Sequence, residues 1–177
     1  MDVEQMAARL REMIARRMDE CEAKGNLTQR DKWAVELKHL TLPAYCQALT
    51  AVGFDPARLG TLAIYATTKL RRLVAHYLGV GRADPYTFEI IRNARVIAEQ
   101  GNPMANRLMT ATLSAKLRVE GITLPTRREG SEGTASTQAS STRMALAALG
   151  AGKAEGKGPG ARFEIDFAHP IMRTVIT

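Results

Sequence analysis

Three dipeptides constrain this chain more than any other feature. Asp55-Pro56, Asp84-Pro85 and Asn102-Pro103 each place a capping side chain directly before a proline. Asp and Asn accept the free N–H groups of a first helical turn, and proline at the first helical position lacks the N–H that would go unpaired. Gly79, Gly101 and Gly121 stand where the segments so opened should stop. The punctuation predicts helices over about 56–78, 85–100 and 103–119.

Apolar spacing supplies three more. Met6, Leu10, Met13, Ile14, Met18 and Cys21 recur at three- and four-residue steps, which predicts a helix over 3–23 ended by Gly25-Asn26. Thr28 with Asp31 resembles a capping start for a helix over about 29–40 that aligns Trp33, Leu37 and Leu40. Pro43 opens a third, carrying Tyr45, Cys46, Leu49 and Val52, and Gly53 closes it. Short connections between amphipathic helices imply neighbours packed back and forth. The expectation is a mainly α protein, a compact bundle of about six helices over residues 1–122 within a core domain 1–125.

At Thr126 the composition changes. The 36 residues 126–161 hold 7 Gly, 8 Ala, 4 Ser and 4 Thr and no aromatic residue, which reads as a flexible linker. Residues 143–149, RMALAAL, are expected to form a short helix that persists only if docked. The segment 162–177 reads as a C-terminal β-type arm. Phe163, Ile165 and Phe167 alternate with Arg162, Glu164 and Asp166, and Ile171 to Ile176 is rich in strand formers. The two pieces either fold on each other around His169-Pro170 or add to a sheet on another chain. The second is preferred, because a 36-residue coil spans about 33 Å. Phe163, Ile165, Phe167, Ile171 and Val175 are then the residues that dock on a neighbouring protein subunit, of the same or another kind.

Charge points to a second partner. The net charge is +7, and residues 58–118 alone carry 10 basic and 3 acidic residues, a net +7. A local excess of this kind attracts polyanions, of which nucleic acid is the commonest. Lys69, Arg72 and His76 stand three and four apart on one helix face, bordered by Arg71. Arg92 and Arg95 share another face, Arg107 and Arg118 lie three turns apart, and Arg82 sits in a loop between the first two sets. If those helices pack side by side, seven or eight of these cations face one way and suit phosphate backbones. The bland reading is a solvated basic face with no partner.

The remaining chemistry is thin. Cys21 and Cys46 are too few for a disulfide scaffold or a zinc site, and read as buried thiols. His39, His76 and His169 follow no metal-ligand spacing, and His76 suits a helix C-terminus. Gly79-Val80-Gly81 is half of a dinucleotide fingerprint after a helix rather than a strand, and Gly152 to Gly158 is one residue short of a phosphate loop. No paired carboxylates stand out. No catalytic residue, metal or cofactor is expected, and no apolar run approaches the roughly 20 residues of a membrane span.

These readings converge on a non-enzymatic structural protein of an assembly, such as a virus or phage particle, in the cytoplasm or in a particle assembled there. Its arm ties it to a neighbour and its basic face meets nucleic acid. Two alternatives stand beside it. One is a helix–turn–helix DNA-binding adaptor or regulator built on residues 43–78, with Arg58 as the strong base reader of the second helix. The other is a helical adaptor whose partners are all proteins.

Overall fold

The computed structural model describes residues 1–99, 132–155 and 162–176. It is mainly helical, with one small antiparallel sheet near the C-terminus. Seven α-helices lie among the described residues: α1 (Val3–Ala23), α2 (Leu27–Leu40), α3 (Pro43–Ala51), α4 (Ile64–Tyr77), α5 (Pro85–Glu99), α6 (Glu132–Leu149) and α7 (Pro170–Ile176). A 3-10 helix, η1, covers Pro56–Gly60, and the strands are β1 (Gly152–Glu155) and β2 (Arg162–Ile165).

The N-terminal helices follow the sequence closely. Asp2 and Gln5 form a reciprocal capping box at the head of α1, with Gln5 N–H donating to Asp2 Oδ1 at 2.8 Å. The stripe Met6, Leu10, Ile14 and Cys21 is buried. Gly25 takes φ +67°, which lets the chain turn, and Asn26 rather than Thr28 caps α2. α1 packs against α2 and α3. Arg17 lies over the Trp33 ring at 5.3 Å and donates to the Gly60 carbonyl, joining α1 to α2 and η1.

The expected helix over 56–78 is two elements. Asp55 does cap the start, accepting from Ala57 N–H at 3.0 Å. The first turn tightens to η1 and breaks after Gly60 before α4 begins at Ile64. Gly60 presses on α1, where a Cβ would stand 3.0 Å from Met13 Cε. Leu59 and Leu62, on either side of it, are both buried. The break thus turns both leucines inward. The expected helix over 103–119, with Arg107 and Arg118, lies outside the described residues.

The stretch read as a linker gives the largest correction. Residues 132–149 form the 18-residue helix α6, far longer than the short helix expected over 143–149. It buries Ala139, Ser141, Thr142, Ala145, Leu146, Ala148 and Leu149 in the same core as α4 and α5. Small side chains let helices approach closely, and alanine has the highest helix propensity. The composition that suggested a coil therefore serves a tightly packed helix. Gly150, at φ +77°, ends α6 and leads into β1.

β2 covers Arg162–Ile165 and pairs with β1 of its own chain, Gly152 opposite Ile165 and Ala154 opposite Phe163. The second half of the arm, expected to extend as a strand, is α7. His169-Pro170 opens it by the same rule that opens α5, a cap followed by proline at the first position. α7 packs on α4 and α5.

Candidate nucleic-acid interface

The six expected site residues that are described, Lys69, Arg71, Arg72, Arg82, Arg92 and Arg95, do not share one face. Lys69 points into the protein. Its Nζ donates to Asp84 Oδ1 at 2.9 Å, Asp84 Oδ2 at 3.0 Å and Thr87 Oγ1 at 3.0 Å. Asp84 also caps α5, accepting from Thr87 N–H at 3.1 Å, and the Thr87 hydroxyl lies 3.2 Å from that of Thr142 on α6. The four residues are buried and tie α4, α5 and α6 together. Burial would raise the Asp84 pKa, but the Lys69 charge and the Thr87 hydrogen bonds outweigh it and hold it below its ordinary value. Burial pulls the Lys69 pKa below its usual range, opposed by Asp84.

Arg71 is likewise engaged. Its Nε donates to Glu36 Oε2 at 2.7 Å, and Thr68 Oγ1 donates to Glu36 Oε1 at 2.8 Å. Glu36 is buried on α2, so this second network clamps α2 to α4. Arg95 pairs along α5 with Glu99 at 2.9 Å. Arg72, Arg82 and Arg92 are exposed and make no ion pair among the described residues. α6 packs against both α4 and α5, and those two helices meet only slightly, so their basic residues do not line up side by side as expected.

A group the spacing did not reveal lies on the outer seam of α2 and α4. Tyr65 is 58% exposed, and Lys32 Nζ sits 4.6 Å from its ring centre while donating to its hydroxyl at 3.0 Å. Arg72 follows two turns along the same helix from Tyr65. The pattern hides Lys32 because it precedes buried Trp33 and belongs to a helix whose net local charge is small.

The residues expected to dock on a neighbour are used within the chain. Phe163, Ile165, Ile171 and Val175 are buried in its own core, and Phe167 is partly buried against it. Arg58, the base reader of the helix–turn–helix alternative, donates to the carbonyls of Ala147 and Ala148 at 2.6 and 3.1 Å. It thereby caps the C-terminus of α6. η1 and the break before α4 also replace the continuous second helix that alternative assumed.

His76, His169 and the two cysteines are engaged within the fold. His76 Nε2 lies 3.0 Å from the Thr174 carbonyl of α7. His169 Nδ1 accepts from Ile171 N–H at 3.3 Å. Both thiols are free and buried, and Cys46 donates to the Leu40 carbonyl. Among the described residues no group of three His, Cys, Asp or Glu could hold a metal ion, and no helix is long and apolar enough to cross a membrane. An open pocket of about 360 Å³ beside the hairpin is lined by Lys153, Glu164 and Asp166, and Lys153 and Glu164 pair across the strands at 3.4 Å. Comparison with known proteins finds no family model, no curated protein and no solved structure that matches this chain.

Proposed function

We propose that the chain is a non-enzymatic, assembly-type protein that holds nucleic acid by its phosphate backbone. One observation carries the reading. Within the basic stretch, Lys69 and Arg71 are committed to buried carboxylates, yet Arg72, Arg82 and Arg92 are exposed without a carboxylate partner among the described residues. Exposed unpaired guanidinium groups suit phosphate oxygens, and they bring a steep dependence on salt. The scarcity of exposed aromatic rings speaks for backbone contact rather than base stacking.

The test is direct. Full-length protein is titrated with a nonspecific DNA duplex at about 50 and 200 mM salt. Binding at low salt that falls steeply at high salt is expected. Absence of binding at low salt overturns the reading. It then favours a helical adaptor with protein partners, for which the exposed Phe88 and Val96 of α5 are the supporting observation.

A further inference from the structure

The C-terminal unit, β1 to α7, is fastened at one buried histidine. His169 is the N-cap of α7, and its two sides do different work. Nδ1 accepts the Ile171 N–H at 3.3 Å, so it carries no proton. The ring also lies by the Leu149 carbonyl at the end of α6, which raises its pKa. Arg58 takes the two preceding carbonyls of that same helix end. One imidazole therefore caps the first turn of α7 beside the end of α6.

We propose that His169 is a pH-sensitive clasp: its protonation weakens the docking of α7 on the helical core. A proton on Nδ1 would point at the Ile171 N–H it now accepts. It would also set a positive charge at the N-terminus of a helix, where the dipole opposes it. The surrounding groups do not cancel this. Asp166, in the same turn, attracts a proton to the ring, but its Oδ1 already accepts from Ala168 N–H at 2.9 Å and it is exposed. The Leu149 carbonyl acts in the same direction. Arg58 at the end of α6 and Arg173 on α7 are cations and act against it. His76, on α4, meets α7 at Thr174. Burial is the largest influence and keeps the ring below its ordinary pKa, against Asp166 and Leu149. With the docked pKa depressed, the docking is complete above the ordinary imidazole range and weakens as pH falls through it. Undocking would uncover Ile171, Met172 and Val175, all buried in the closed form. The clasp stands whether or not the chain binds nucleic acid.

Hydrogen exchange on the full chain at pH 7.5 and 5.5, corrected for intrinsic exchange, tests it. Amides 171–175 should lose up to about tenfold protection at pH 5.5, the limit set by an ordinary imidazole one unit above that pH, while α1 keeps its protection. His169→Asn should remove the pH response. His39→Gln, which alters a histidine on α2, should retain it. Equal protection of α7 at both pH values, or a His169→Asn chain that still responds, overturns the proposal. An NMR titration of the wild-type His169 ring guards against a variant that fails to dock. A ring that protonates with α7 shifts unchanged overturns it as well.

Discussion

Lys69 Nζ stands 2.9 Å from Asp84 Oδ1, and both side chains are more than nine-tenths buried. The same carboxylate caps α5, so one ion pair fixes the angle between two helices and, through Thr87 and Thr142, the position of a third. Lys69→Met leaves the carboxylate uncompensated and should cost about 3–5 kcal/mol, read as a lower urea midpoint. Lys69→Met combined with Asp84→Asn should recover part of that loss, because the uncompensated charge is gone while an amide can still cap.

The pair also sets an acid limit. The Asp84 pKa in the folded protein is held below its ordinary value, so its contribution is present above the ordinary carboxylate range. It is lost as pH falls through that range toward the folded value. Urea midpoints measured from pH 7 to pH 3 should fall with pH in the wild type, and less so in Asp84→Asn.

Lys69 also marks where sequence reasoning stops. Its spacing to Arg72 and His76 placed it on an exposed cationic face. Its spacing to Ala66 and Leu73, three before and four after, places it on the buried line of α4, and that signal prevails in the fold. The pattern alone cannot choose, because the helix that covers Lys69 comes from the Ala/Ser/Thr stretch beyond residue 131. Caps and stops were legible, since Asp55, Asp84 and Pro43 act locally and do open their segments. What was not legible depends on distant contact. Gly60 breaks the 56–78 helix because α1 lies against it, and β2 finds its partner in a segment too poor in strand formers to be read as one.

Gly152 and Phe163 meet across the hairpin. A Cβ on Gly152 would stand 2.6 Å from two atoms of the Phe163 ring. Gly152→Ala should therefore push the ring out of place and cost about 1–3 kcal/mol. Calorimetry should show the lower melting temperature, with the far-ultraviolet helical signal of the folded state preserved.

Arg58 separates stability from recognition. It donates to two carbonyls at the end of α6, and at an exposed site such bonds are worth about 1 kcal/mol. Arg58→Leu should lower the unfolding free energy by that amount, read as a lower urea midpoint. It should leave nucleic-acid affinity within twofold, measured by fluorescence anisotropy. A large loss of affinity with unchanged stability would return Arg58 to the role of a base reader.

The three exposed arginines carry the converse expectation. Arg72, Arg82 and Arg92 touch no carboxylate among the described residues, so Gln at all three should shift stability by no more than about 0.5 kcal/mol per site. Each phosphate contact contributes about 0.9 to the slope of log affinity against log salt. If all three meet phosphate, the triple variant should flatten that slope by roughly 2.7, and the loss should be equal on unrelated duplex sequences. Arg71→Gln is the internal contrast. It removes a cation from the same helix but leaves Glu36 buried and half satisfied, so it should destabilise the fold. An unchanged slope in the triple variant would mean that the polyanion, if one binds, is held elsewhere on the chain.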